Sequence, residues 1–179
     1  HHIEKLKRAG ISELVINHAW LGHKLVAALG DGSAFGVSIR WSAEESALET
    51  AGGIVQALPL LGSDPFLVIN GDTWIDADYA TLVRQPLGSD LAHLWLVPNP
   101  PQHPNGDFSL QAGRVQDAPA LTFSGVGLYH PAAFAELPSG ARKLAPLLRD
   151  WMAQGRVGGS LLAGEWRDIG TVERLRALD

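Results

Sequence analysis

Two aspartates occupy positions from which a side chain can do metal chemistry. Asp72 follows the apolar run Phe66-Leu67-Val68-Ile69 through the tight Asn70-Gly71 step. That is the place beyond the carboxyl end of a strand at which α/β sheets bind ligands. A carboxylate there can hold a hard cation such as Mg²⁺, which keeps most of its waters and takes one or two protein oxygens plus substrate phosphates. The same residue type also serves as a turn aspartate or a helix cap. Asp168, in Glu165-Trp166-Arg167-Asp168-Ile169-Gly170-Thr171, lies between a short strand and a helix start. It is either a second ligand for the same cation or, with Thr171, a cap for the last helix.

Three further segments carry weaker signals. Leu48-Glu49-Thr50-Ala51-Gly52-Gly53-Ile54 is a small-residue loop leading into a helix, which permits close approach of a ligand and aims helix amides at it. It is neither a Walker loop nor a G-x-G-x-x-G fingerprint, and an ordinary helix start reads the same way. Leu121-Thr122-Phe123-Ser124-Gly125-Val126-Gly127 places two glycines in a strand-like run, the mark of a bulge, a bend or a ligand's close approach. Lys143 stands at a helix start, where a cation gains nothing from the dipole, so it faces either a phosphate or solvent. The seven histidines lack metal-ligand spacing, and His18, His23, His93, His103 and His130 are read as structural or surface residues; the six tryptophans are assigned to the core, although Trp74 and Trp166 lie beside the two acids.

The elements that must position these residues follow from periodicity. Residues 3, 6 and 9 give an apolar helix stripe that stops at Gly10. Strands are expected at 14–17, 37–41, 66–70 and 92–97, with helices at 19–29, 53–60 and 78–83 between them. This alternation predicts an α/β, Rossmann-like and mostly parallel sheet flanked by helices. After Pro98 the pattern changes to short strands at 107–111, 114–117 and 121–130, a small antiparallel excursion with a turn at Gly113. Helices at 131–136 and 144–154, a strand at 161–167 and a helix at 171–178 complete a single domain over 1–179.

Composition excludes several function classes. With 46% hydrophobic and 18% charged residues among 179, the chain is expected to fold around a sizeable core rather than remain disordered. A formal charge of −5 with no basic run argues against a nucleic-acid surface. The absence of cysteine removes disulfides, zinc thiolates and thiol nucleophiles. No apolar run is long enough for a membrane helix and no signal-peptide pattern stands at the start, so a cytoplasmic location is expected.

Taken in order, the segments LETAGG, NGD after a strand, FSG, KLAPLL and WRDIGT resemble the sugar-phosphate nucleotidyltransferase family over essentially the whole chain. Residues 16–22, 48–54 and 70–74 look most like the branch that joins N-acetylmuramate 1-phosphate to UTP in peptidoglycan recycling. The resemblance implies that Asp72 and Asp168 hold the catalytic Mg²⁺, with Asn70 beside them in the substrate site. It implies further that Glu49, Thr50 and Gly52 read the base, that Gly106 and Gly125 lie along the sugar, and that Lys143 approaches the sugar phosphate. The implied reaction is attack of a sugar 1-phosphate oxygen on the α-phosphate of a nucleoside triphosphate, with pyrophosphate released.

Members of the family begin with a strand, a G-x-G-x-R loop that holds the triphosphate and a proline-lysine segment, none of which occurs in these 179 residues. The helix opening at His1-His2 resembles the one that follows those elements. The expectation is therefore a chain lacking the first strand and loop, inactive when tested alone, with unpaired strand edges beside the gap. Two other readings remain open. One is a mannose-1-phosphate guanylyltransferase or other hexose-1-phosphate enzyme of the same family. The other is a non-catalytic sugar-nucleotide-binding domain.

Overall fold

The computed structural model describes residues 1–178. Helix α1 (His2–Arg8) ends as its sequence predicts. Gly10, at φ 88°, closes a Schellman turn in which its amide donates to Lys7 and that of Ile11 to Leu6, both at 3.0 Å. Strand β1 (Glu13–His18) follows, then α2 (Gly22–Leu29) and β2 (Ser38–Ala43). β1 and β2 pair in parallel, as a strand-helix-strand unit requires.

Helix α3 (Glu49–Leu61) leads to β3 (Phe66–Ile69), the short β4 (Thr73–Asp76), α4 (Tyr79–Val83) and β5 (Ala92–Val97). β6 (Phe108–Gln111), the long β7 (Arg114–Tyr129), α5 (Leu144–Ala153), β8 (Val157–Leu161), β9 (Glu165–Asp168) and α6 (Val172–Arg176) complete the chain. The main sheet runs β3-β7-β5-β8 with β6 on β7. β5 and β8 are parallel, whereas β7 runs antiparallel to β3, β5 and β6, so the α/β sheet is mixed. The strands after Pro98, expected as an excursion, thus supply a central strand of that sheet.

Two expected strands, 114–117 and 121–130, are one strand with an exposed detour. β6 pairs with β7 at Gln116 and resumes at Leu121, which leaves 117–120 outside the ladder. Pro119 sits there, where its missing N–H costs no hydrogen bond. The helix expected at 131–136 is a single 3-10 turn over Pro131–Ala133. The strand expected at 161–167 divides into β8 and β9. β8 is fully aligned with β5 despite Gly158 and Gly159, because side chains of Asp90, His93 and Val115 fill the space above those glycines. β1 and β3 each have one ladder partner among the described residues.

The larger core lies between the main sheet and α3 and α5. Phe66, Tyr129, Phe134 and Trp151 stack edge and face there at centroid distances of 5.5–6.1 Å. The opposite face holds Ile75, Tyr79, Leu82, Trp95 and Val126 under α1 and α4. His2 ties that layer to β4: its Nε2 bonds the Thr73 carbonyl and its Nδ1 bonds the Tyr79 hydroxyl, each at 2.7 Å. The expectation that the tryptophans fill the core fails at Trp20, which is 87% exposed. The chain leaves β1 there through Leu21 in the left-handed region at φ 58°, and the turn carries Trp20 outward.

Tyr129 is wholly buried and its hydroxyl has no partner among the described residues. Burial pushes its ionisation far above the usual phenol range. A buried hydroxyl without a hydrogen bond costs stability that its ring does not require. Tyr129→Phe is therefore expected to be neutral or to stabilise by up to about 1 kcal/mol in urea unfolding. A loss of that size instead would show that the hydroxyl is bonded.

Candidate functional site

A short antiparallel ladder brings the two aspartates together. β4 pairs with β9 so that Thr73 faces Asp168 and Ile75 faces Trp166, and the Ile169 amide donates to the Asp72 carbonyl at 2.9 Å. Asp72 is thereby the diagonal neighbour of Asp168. A Cβ built on Gly170 would stand 3.2 Å from both Asp72 Oδ2 and Asp168 Oδ1. Both carboxylates thus face a spot that any side chain would fill.

Their environments differ. Asp72 is exposed and its carboxylate makes no hydrogen bond among the described residues. Asp168 Oδ1 accepts the Gly170 amide at 2.9 Å, and its Oδ2 takes the Arg174 guanidinium from α6. Thr171, rather than Asp168, caps α6, its hydroxyl accepting from the Arg174 amide at 3.2 Å. The capping alternative for Asp168 is thus filled by its neighbour. Asp72 caps no helix either; that role before α4 belongs to Asp78. Two convergent carboxylates, one of them free, form a donor set suited to Mg²⁺, which needs few protein oxygens.

The wall of this cleft is a bulge in β7. Trp95 pairs with Val126 but Leu96 pairs with Phe123, so Ser124 and Gly125 are extra residues on one strand. Gly125 adopts φ 78°, which only glycine enters without strain, and a Cβ there would strike the Asn70 side chain at 2.7 Å. The bulge frees two carbonyls: Gly125 O accepts from the Asn70 amide at 3.0 Å and Ser124 O from the Trp166 indole at 2.8 Å. The end of β3 and the strand carrying Asp168 are both pinned to it. Of the readings open for the FSG segment, the bulge is the one adopted.

Asn70, Asp72, Thr122, Gly125, Trp166 and Asp168 share a cavity of about 280 Å³. His103 and Asp107 line it too, joined at 3.1 Å, and Asp107 also accepts the Phe123 amide at 2.9 Å. His103 is therefore a cleft residue, contrary to the expectation from its spacing. Gly106 lies outside that lining. At φ 73° its Cβ would meet Asn99 and the Leu121 carbonyl, so a tight turn requires glycine there and swings Asp107 inward.

Glu49, Thr50, Gly52 and Lys143 form a second group. The amides of Ala51 and Gly52 donate to the Arg142 carbonyl at 3.0 and 3.2 Å, and the Arg142 amide donates to Leu48 O at 2.8 Å. The expectation that these helix amides face a ligand is corrected: a chain segment caps them, and Gly52 is small because Gly140 and Arg142 pass over it. What faces outward is Glu49, exposed and held at φ 60°, a conformation that costs a non-glycine residue about 1 kcal/mol or more. Below it, Glu44 accepts the Leu48 amide at 2.9 Å, and Asn17 donates to Gly53 O at 2.9 Å. Lys143 is exposed at the N-terminal boundary of α5, next to Arg142.

A family model described as nucleotidyl transferase matches residues 1–108. The N-acetylmuramate alpha-1-phosphate uridylyltransferase of Neisseria meningitidis serogroup B is 52% identical, over 98% of this chain and 80% of that protein. The chain belongs to the nucleotidyl transferase family. The enzyme of the same name from Caulobacter vibrioides is 31% identical over 95% of this chain and 77% of that one. A Bacillus anthracis protein solved with sucrose shares the nucleotidyl transferase fold, with a TM-score of 0.83 at 23% identity, over 99% of this chain and 78% of that one. Among the described residues no helix is long and apolar enough to cross a membrane.

Gly170 offers a direct test of the two-carboxylate site in this nucleotidyl transferase. Gly170→Ala places a methyl group between the acids. Titration with Mn²⁺ as a spectroscopic probe is expected to show affinity lowered about 10–100-fold with the melting temperature unchanged. Unaltered affinity would exclude that spot as the point of convergence.

Proposed function

We propose that this chain is the catalytic body of an N-acetylmuramate 1-phosphate uridylyltransferase, which joins that sugar phosphate to UTP with Mg²⁺ and returns a cell-wall sugar to its activated form. The observation that carries the reading is the convergence of Asp72 and Asp168 over Gly170, in a chain 52% identical to a relative of that name.

Asp72 and Asp168 hold the cation. Asn70 and Gly125 bound the sugar side of the cleft, where Gly106 acts by bringing Asp107 inward. Glu49, held in a strained conformation, reads the base with Thr50, while Gly52 lets the 140–142 segment seat their helix. Lys143, exposed at the start of α5, approaches the sugar phosphate.

The chemistry needs alignment more than a base. An oxygen of the sugar phosphate, already ionised at neutral pH, attacks the α-phosphorus of UTP. The bond from that phosphorus to the bridging oxygen breaks, and pyrophosphate leaves with the electron pair. A bound divalent ion neutralises charge on the phosphates and fixes their geometry. The chain's part is to present two carboxylates at one point, to keep Lys143 available for the phosphate, and to brace the cleft through the Trp166–Ser124 hydrogen bond.

The test is product formation by the protein as its gene encodes it, from UTP or GTP with N-acetylmuramate, glucose or mannose 1-phosphate. Pyrophosphate is expected from UTP with N-acetylmuramate 1-phosphate, and only with the divalent ion present. Faster turnover of GTP with mannose 1-phosphate would assign a guanylyltransferase. A folded protein that binds sugar nucleotides yet turns over no pair would be a binding domain.

A further inference from the structure

Beside the two-acid cleft lies a larger cavity of about 480 Å³, which shares Asp168, Trp166, Pro100 and Gln102 with it. Its walls are mostly apolar, from Val97, Leu162 and Trp166, and Arg167 and Arg174 line it as well. Arg167 is committed elsewhere: its Nε donates to Glu165 at 2.7 Å and one terminal nitrogen donates to the Ala177 carbonyl at 3.1 Å. Arg174 is held from within the cleft: its Nε donates to the Thr171 hydroxyl at 3.3 Å, its carboxylate partner is Asp168, one of the two acids that converge on Gly170, and 37% of its side chain is exposed. An arginine stays charged at every accessible pH, so a cation shared by Asp72 and Asp168 would weaken its hold on Asp168 and leave a guanidinium in need of another anion.

We propose that Arg174 is the residue that selects a sugar 1-phosphate bearing a second acid group, by pairing with that group's carboxylate in the adjoining cavity. The inference rests on the uridylyltransferase reading and deepens it. N-acetylmuramate carries a lactyl ether, a methyl group and a carboxylate on one short arm. The methyl matches the wall of Val97, Leu162 and Trp166, and the carboxylate matches the planar fork of an arginine. The arm lies beside the cleft because the two cavities are contiguous through Trp166 and Asp168. Arg174 thus has two successive partners: Asp168, and then the carboxylate of the substrate arm.

The experiment compares N-acetylmuramate 1-phosphate with N-acetylglucosamine 1-phosphate, the same ring without the arm. It uses wild type, Arg174→Ala, Arg174→Gln and Arg174→Lys, and reads turnover with UTP and direct calorimetric binding of each sugar phosphate. Arg174→Ala and Arg174→Gln are expected to raise KM and Kd for N-acetylmuramate 1-phosphate about tenfold or more beyond any shift they cause for N-acetylglucosamine 1-phosphate, so that the preference between the two sugars falls by that factor. Arg174→Lys should recover part of the loss, since it keeps the charge and loses the fork. An equal shift for the two sugars, or none, in folded variants overturns the role of Arg174 while the uridylyltransferase reading stands. Wild type that prefers N-acetylglucosamine 1-phosphate overturns the functional reading and this inference with it.

Discussion

Asp72→Asn is expected to lower kcat by roughly two to three orders of magnitude while moving the melting temperature by no more than a degree or two. The substitution keeps the shape of the side chain and removes only the charge. Asp72 is exposed and its carboxylate makes no hydrogen bond with the described residues, so the fold loses little. What is lost is one of two anionic oxygens aimed at the space above Gly170. Asp168→Asn should cost as much in rate and slightly more in stability, because its carboxylate also holds Arg174 and the Gly170 amide. The double variant should be little worse than either single one, since two ligands of one ion act as a unit. Steady-state pyrophosphate release and a thermal melt on each variant check this. Near-normal kcat in a folded Asp72→Asn protein would remove Asp72 from the metal site.

The second large effect concerns stability. Phe134 is fully buried, with the rings of Tyr129 and Trp151 edge-on at 5.7 and 5.5 Å and Phe66 tilted against it at 6.1 Å. Removing the ring leaves a cavity that three rigid aromatic neighbours cannot close. Phe134→Ala should therefore cost about 3–5 kcal/mol in urea unfolding, which corresponds to a melting temperature lower by roughly 6–20 °C for a chain of this size. Phe134 lines neither cavity, so activity per folded molecule should be preserved at low temperature. A loss below about 1 kcal/mol would mean that the core relaxes into the space.

Much of this architecture is local and was legible on that account. The Gly10 stop, the strands near Val15, Val68 and Leu94, and the helices after them follow from apolar spacing and a few turn residues. Asp72 was legible for the same reason: an apolar strand followed by Asn-Gly-Asp marks the end of a strand in an α/β sheet. The segments that misled are those whose conformation depends on distant partners. Gly158 and Gly159 argue against a strand, yet β8 forms because β5 supplies a ladder and neighbouring side chains fill the glycine gaps. Helix α3 begins four residues before its expected start, at Glu49, because the Arg142 carbonyl caps amides that were expected to face a ligand.

Residue types and order alone determined the two acids, the family resemblance and the α/β class, because charge type and periodicity are properties of short segments. Tertiary structure alone decided that Asp72 and Asp168 meet over Gly170, that the Ser124–Gly125 bulge pins the cleft, and that His103, Asp107 and Arg174 belong to its surroundings. Those facts are set by pairing registers between strands far apart in the chain. A register is fixed by which side chains the whole core can bury together, and no short stretch of sequence carries that information.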